Sequence, residues 1–452
     1  MTPLVDNAAW ARTNTCSVLW PVPVPDADEV RTAVTGHTKS AGGLLFDCLQ
    51  RAMMADIEFL GVVDTGGDFG PEDLGWIALS RAGGRDGTSP IVEIVVARRG
   101  LAVIHSHALG DGTRSTQLVQ EVLAAINLGA EVVTASARRD RVATIGDGAL
   151  ALVALWIRNP RHLVTVASSM RMRLRRRGSP AGLVRGGHPD SSDPDSSEQA
   201  GGDQIGGDEH LRLVMRRFDT ASGTRVPSLC MAADLAGRLP ERRDDTWAVL
   251  ASLRQGSDRL TNSAGNIIGV LPVAGTDLVA DTVPSPLERI KSGEVLFVAV
   301  AKAAVAAGRA RRRRVGGKPA SKDGKPGSAD RKSAGTTVSW SDRGRQSAQV
   351  WSSVRWCAGA EDALRSAYVF TAPSKPGTVT INIVWIDGFC HVTITGRSDQ
   401  IADFSAALAE FAIDNSWADN SWADGFGADN FLACPSAEPG THVARGNDYG
   451  DS

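Results

Sequence analysis

The chain has 452 residues, 42% of them hydrophobic, enough to bury a large core and to divide into more than one domain. Lys and Arg number 49 against 51 Asp and Glu, so no whole-molecule field favours nucleic acid, and binding to an anionic partner would have to come from local patches. The six cysteines are scattered with no C-x-x-C spacing, no apolar run reaches the roughly 20 residues a membrane helix needs, and the first residues lack the regions of a signal peptide; the expectation is reduced thiols and a cytoplasmic setting.

In chain order, SPIVEIVVARRGLAVIHSH (89–107) predicts two strands joined at Arg99-Gly100. A period of two puts Leu101, Val103, His105 and His107 on one face and Ala102, Ile104 and Ser106 on the other, so the two histidines point the same way if the strand runs to 107. TRSTQLVQEVLAAINLG (113–129) then predicts a helix with Leu118, Val122 and Ile126 in one stripe and its stop at Gly129. Asp111 and Gly112 fall in the turn between strand and helix.

Three polar stretches divide the rest. Residues 186–210, rich in Gly, Ser, Asp and Pro, predict a disordered crossover between an N-terminal lobe (1–185) and a C-terminal lobe (211–415). Residues 308–335 predict a mobile basic insert in the second lobe, and 416–452 a flexible tail, in which a repeated Asn-Ser-Trp-Ala-Asp is too short to make a repeat fold. Between them, TVTINIVWIDGFCHVTITG (378–396) predicts a hairpin turned at Asp387-Gly388. A helix should follow, capped by Ser398 and packed through Ile401, Phe404, Leu408 and Phe411. The arginine runs at 171–177 and 309–314 are most simply solvated faces; functionally they suit the phosphates of coenzyme A, an acidic carrier-protein helix or a membrane surface.

Two chemistries compete at residues 105–112. His105, His107 and Asp111 are ordinary zinc ligands, but a metal-dependent hydrolase would need further histidines, and those elsewhere lie in contexts that do not supply them. Acyl transfer needs less: one imidazole of near-neutral pKa, His107, suffices to take the proton of an alcohol or amine as it attacks a thioester. Asp111, paired with an arginine, would hold the turn, and Gly112 would allow a backbone conformation closed to other residues. Against both stands the plain reading of a strand-to-helix turn with a structural histidine.

SHALGDG (106–112) resembles the His-His-x-x-x-Asp-Gly signature of the chloramphenicol-acetyltransferase-like superfamily, which includes peptide-synthetase condensation domains. The flanking LAVIHSHALGDG most resembles the bacterial wax ester synthase/diacylglycerol acyltransferase group. ASLRQGSDRLTNSAGNIIGVLPV (251–273) is similar to a second motif of that group through Ser252, Arg254, Gly265, Asn266, Leu271 and Pro272. The resemblance implies an α/β fold of two lobes, each a mixed sheet with flanking helices, and a tunnel between them. It also implies His107 as the base, Asp111 as the residue that fixes the turn, and Gly112, Ser106, His105 and Asn266 as supporting residues. The co-substrate would be acyl-CoA or acyl-phosphopantetheine, with no bound cofactor or metal. The partners would be the acyl thioester, a small alcohol or amine acceptor and an acyl carrier protein, without nucleic acid and with at most peripheral membrane contact. The departure is Ser106, which stands where the family has its first histidine; a catalytically degenerate scaffold or a carrier-protein-dependent condensation enzyme are the alternatives it leaves open.

Overall fold

Apolar side chains on both faces of residues 92–106 place this hairpin in the middle of a sheet, covered above and below. The computed structural model of the chain describes residues 3–5, 13–41, 43–86, 88–129, 141–178, 211–219, 228–253, 260, 263–264, 268–280, 285–316, 336–342, 351, 353–359, 365–373, 377–386 and 389–410. Its first part is β1 (Asn14–Trp20), α1 (Ala27–Ala41), α2 (Leu44–Ala55), β2 (Leu60–Asp64), α3 (Pro71–Gly83), β3 (Val92–Ala97), β4 (Gly100–Ser106) and α4 (Gly112–Ala125). After β5 (Arg141–Val142) come α5 (Ile145–Arg158), α6 (Arg161–Gly178), β6 (Leu211–Asp219), α7 (Ser228–Gly237), β7 (Thr246–Ser252), β8 (Ser263–Ala264) and β9 (Ile268–Ala274). The chain continues through α8 (Gly275–Val279), α9 (Pro286–Lys291), α10 (Glu294–Gly316), β10 (Thr337–Asp342), β11 (Ser366–Thr371), β12 (Thr378–Ile386), β13 (Phe389–Arg397) and α11 (Ser398–Ala409).

Most of the strands form two mixed sheets, one per lobe, as the resemblance implied, while β5 and β8 pair in a small parallel sheet of their own. The first has the order β11-β1-β4-β3-β2, with only β2 and β3 parallel. Leu19, Ile94, Leu101 and Val103 bury one face with Leu118 and Val122 of α4, while Cys16, Val18, Ala102 and Ile104 bury the other with Leu74 and Ala78 of α3. The second sheet has the order β6-β13-β12-β10-β7-β9, with β10 parallel to both β12 and β7. Its core gathers Trp247, Trp340 and Phe404, Trp247 lying 5.8 Å from Trp340 and 6.3 Å from Phe404 between ring centroids. Among the described residues no cysteine is in a disulfide, and burial pushes the Cys48 thiol up to about 12. No described helix is long and apolar enough to cross a membrane.

Several boundaries differ from the sequence reading. The division of the lobes does not fall at 186–210 alone, because β11, which lies inside 211–415, pairs antiparallel with β1 in the first sheet. Conversely Leu4, Ala143, Ala151 and Leu152 are buried in the core of the second lobe. Residues 308–316, expected in a mobile insert, continue α10, since Ala and Arg are strong helix formers. Ser398 is the first residue of α11, not its cap; the capping position is Arg397, and Ser398 Oγ accepts from Arg212 Nε at 3.0 Å. Helix α4 ends at Ala125, short of Gly129, because Asn127 turns the chain in the left-handed region at φ 59°. Residues 186–210, 317–335 and 416–452, the turn Asp387-Gly388 and Phe411 lie outside the described residues, although β12 and β13 stay paired to Ile386 and Phe389.

Candidate functional site

The site is built by the end of β4. This strand lies between β1 and β3, so its last residues are held from both sides: Asn14 pairs with Ser106, and His105 with both Thr15 and Val92. The strand stops at Ser106, and His107–Leu109 form a turn of 3-10 helix. The His107 amide donates to the Thr13 carbonyl at 2.7 Å, and the Ser106 hydroxyl accepts from the Ala108 amide at 3.2 Å, so Ser106 caps the turn that carries His107. Asp111 then caps α4, its carboxylate accepting from the Arg114 amide at 3.3 Å.

The early end of the strand corrects the expectation that the two histidines share a face. His107 is 4% exposed and lines a cavity of about 170 Å³. His105 is turned to a separate, smaller cavity beside Cys48 and Arg51, where Nδ1 lies 3.1 Å from the Ser106 carbonyl and Nε2 2.9 Å from Ser115 Oγ. A ring nitrogen facing a carbonyl carries a proton, so Nδ1 donates to the Ser106 carbonyl while Nε2 shares a hydrogen bond with the serine hydroxyl. His105 thus supports the strand end, and His105, His107 and Asp111 do not converge on one point. Among the described residues no three His, Cys, Asp or Glu side chains are gathered as a metal ion would need.

Gly112 also departs from expectation. It opens α4 in helical backbone and lines the cavity, where the lack of a side chain leaves room. The glycine that the turn cannot replace is Gly110: a Cβ there would lie 2.2 Å from Arg114 Cβ.

The cavity walls come from both lobes. The first lobe supplies Thr13, His107, Asp111 and Thr371, and the second supplies Ser252, Ser341, Asp342, Thr380 and Asn382. On β12, Thr378, Thr380 and Asn382 line the cavity while Val379, Ile381 and Ile383 are buried in the core behind it. That alternation is readable in TVTINI, and it is the signal by which these wall residues, missed from sequence, could have been found. Asn382 is 1% exposed, and its Nδ2 has no hydrogen-bond partner among the described residues. Of the second motif, Ser252 reaches the cavity and Leu271 the core, while Arg254, Gly265 and Asn266 lie outside the described residues.

Fold and site together define a two-lobe α/β protein with a buried imidazole on the wall of a polar cavity between its lobes. No protein-family model and no curated protein matches the chain. Among solved structures it is similar to the epimerization domain from the third module of tyrocidine synthetase B, with 11% identity, a TM-score of 0.41, and coverage of 90% of this chain and 92% of the other. It is also similar to Fusarium graminearum TRI101 complexed with coenzyme A and T-2 mycotoxin, with 11% identity, a TM-score of 0.45, and coverage of 92% and 97%. A third is the starter condensation domain of rhizomide synthetase, with 10% identity, a TM-score of 0.43, and coverage of 90% and 88%. Identities this low transfer neither activity nor substrate to this chain.

Proposed function

We propose that the chain is an acyltransferase of the chloramphenicol-acetyltransferase-like kind, moving an acyl group from a thioester to a hydroxyl or amine. The observation that carries the reading is the position of His107: a buried imidazole at a strand end, on a wall shared by both lobes, in a turn fixed at Ser106 and Asp111. The acceptor O–H or N–H donates its proton to the imidazole as the oxygen or nitrogen attacks the thioester carbonyl carbon. The tetrahedral oxyanion then collapses, the C–S bond breaks, and the leaving thiolate takes the proton from the imidazolium. The direct route passes through no covalent acyl-enzyme.

The oxyanion needs a donor, and the Asn382 amide, buried on the wall that the second lobe supplies, is the group we assign to it. Acyl-CoA or acyl-phosphopantetheine on a carrier protein is the donor substrate in this reading. Within the superfamily we favour the wax ester synthase/diacylglycerol acyltransferase group, on LAVIHSHALGDG and on the second motif, and hence a hydroxyl acceptor. Ser106, in the place of the family's first histidine, caps the catalytic turn, which favours a working site over a degenerate one.

The test is to incubate purified protein with a panel of acyl-CoAs and alcohol or amine acceptors and to follow acyl transfer by mass. His107→Ala should lower the rate by about 100-fold to 10,000-fold with an unchanged circular-dichroism spectrum. A folded variant that turns over like the wild type would remove His107 from the role, and an inactive wild type across the panel would favour the scaffold.

A further inference from the structure

Among the described residues, helix α5 is anchored on its inner side. Ala151 and Leu152 are buried in the second lobe, Trp156 Nε1 donates to the Ser292 carbonyl at 3.0 Å, and Thr144 and Asp147 form a capping box at the start of the helix. On its outer side Leu150, Val153 and Ile157 are 57%, 50% and 76% exposed, at the i, i+3, i+7 spacing of one helical face. The stripe continues onto α6, where Leu163 and Val164 are 50% and 65% exposed. Large apolar side chains gathered so densely at a surface mark a contact site.

The charge that these two helices themselves carry after Asp147 has one sign. From Gly148 to Pro189 the sequence contains no Asp or Glu, while Arg158, Arg161 and Arg171 are exposed and the run continues in sequence to Arg177. We infer that α5 and the start of α6 dock onto an anionic lipid bilayer, the apolar stripe entering the headgroup boundary and the arginines meeting lipid phosphates. A bilayer suits the stripe because Arg158, Arg161 and Arg171, on the same two helices, are exposed and carry the charge that lipid phosphates attract. This inference is independent of the acyl-transfer reading.

The experiment is co-sedimentation of the full chain with vesicles of phosphatidylcholine alone and of phosphatidylcholine mixed with phosphatidylglycerol. The wild type should sediment with the anionic vesicles and stay in solution with the neutral ones, and added salt should release it. The triple variant Leu150→Ser, Val153→Ser, Ile157→Ser changes only exposed positions and should weaken binding by about tenfold or more, with unchanged circular dichroism. Arg158→Gln with Arg161→Gln should weaken the anionic preference and leave the fold intact. Wild-type protein that ignores anionic vesicles, or a triple variant that binds as the wild type does, overturns the inference. So does a dimer, seen by analytical ultracentrifugation without lipid and lost in the same variant, because the stripe would then cover a second copy.

Discussion

Asn382 and His391 are both buried polar residues at the junction of the lobes, and they lead to opposite expectations. Asn382 presents an unsatisfied amide to the cavity, so Asn382→Ala should lower the turnover number of the acyl transfer by about 100-fold to 1,000-fold while leaving KM for the thioester little changed. An equal rise in KM with unchanged turnover would assign the amide to ground-state binding. His391 lies edge-on to Tyr368 at 5.0 Å between ring centroids and pairs in register with Arg217. Burial first, and the Arg217 charge second, hold its pKa down to about 3. The unfolded chain takes up this proton near its ordinary value of about 6.5, so stability is full above that pH and is lost as pH falls from there toward 3. At pH 5 the loss from this one group is about 2 kcal/mol, and His391→Phe should flatten the dependence of the melting temperature on pH between 7 and 5. A wild-type slope retained in the variant would place the acid sensitivity elsewhere.

At the scale of elements, the junction depends on two hydroxyls. Thr393 Oγ1 donates to the Val369 carbonyl and Thr395 Oγ1 to the Thr371 carbonyl, each at 2.7 Å, so β13 of the second sheet grips β11 of the first. Val has the shape of Thr without the donor, and Thr393→Val and Thr395→Val should each lower the stability measured by urea unfolding by about 1 kcal/mol. The strands were readable because their patterns are local: apolar runs bounded by Arg99-Gly100 and alternation through TVTINI fix β3, β4 and β12. His107 and Asp111 were readable for the same reason, lying in one short turn between a strand and a helix. What escaped were features decided by distant partners. The Thr13 carbonyl holds the His107 amide at the point where β4 gives way to the 3-10 turn, and no local pattern announces that contact. Likewise Ser341 and Asp342 share a cavity with His107 only because the two lobes come together, and nothing in their own segment marks them as cavity walls.

For the whole molecule, the two sheets share one chain in an interleaved way. β10 and β12 belong to the second sheet, while β11 between them crosses to pair with β1, Thr15 lying opposite Thr371. Residues 1–210 expressed alone should therefore fail to form a soluble folded unit, since β1 would be left as a bare edge, and co-expression with residues 211–452 should restore solubility. A soluble, cooperatively melting 1–210 fragment would show that β11 is dispensable to the first sheet. During synthesis the same arrangement imposes an order. The amino-terminal strand emerges first and soon meets β4, yet its outer neighbour β11 is translated only after most of the other lobe has left the ribosome, so the protein spends much of its translation with an incomplete first sheet. A chaperone that shields a single strand edge, not one that encloses a finished domain, is what such a nascent chain would call for.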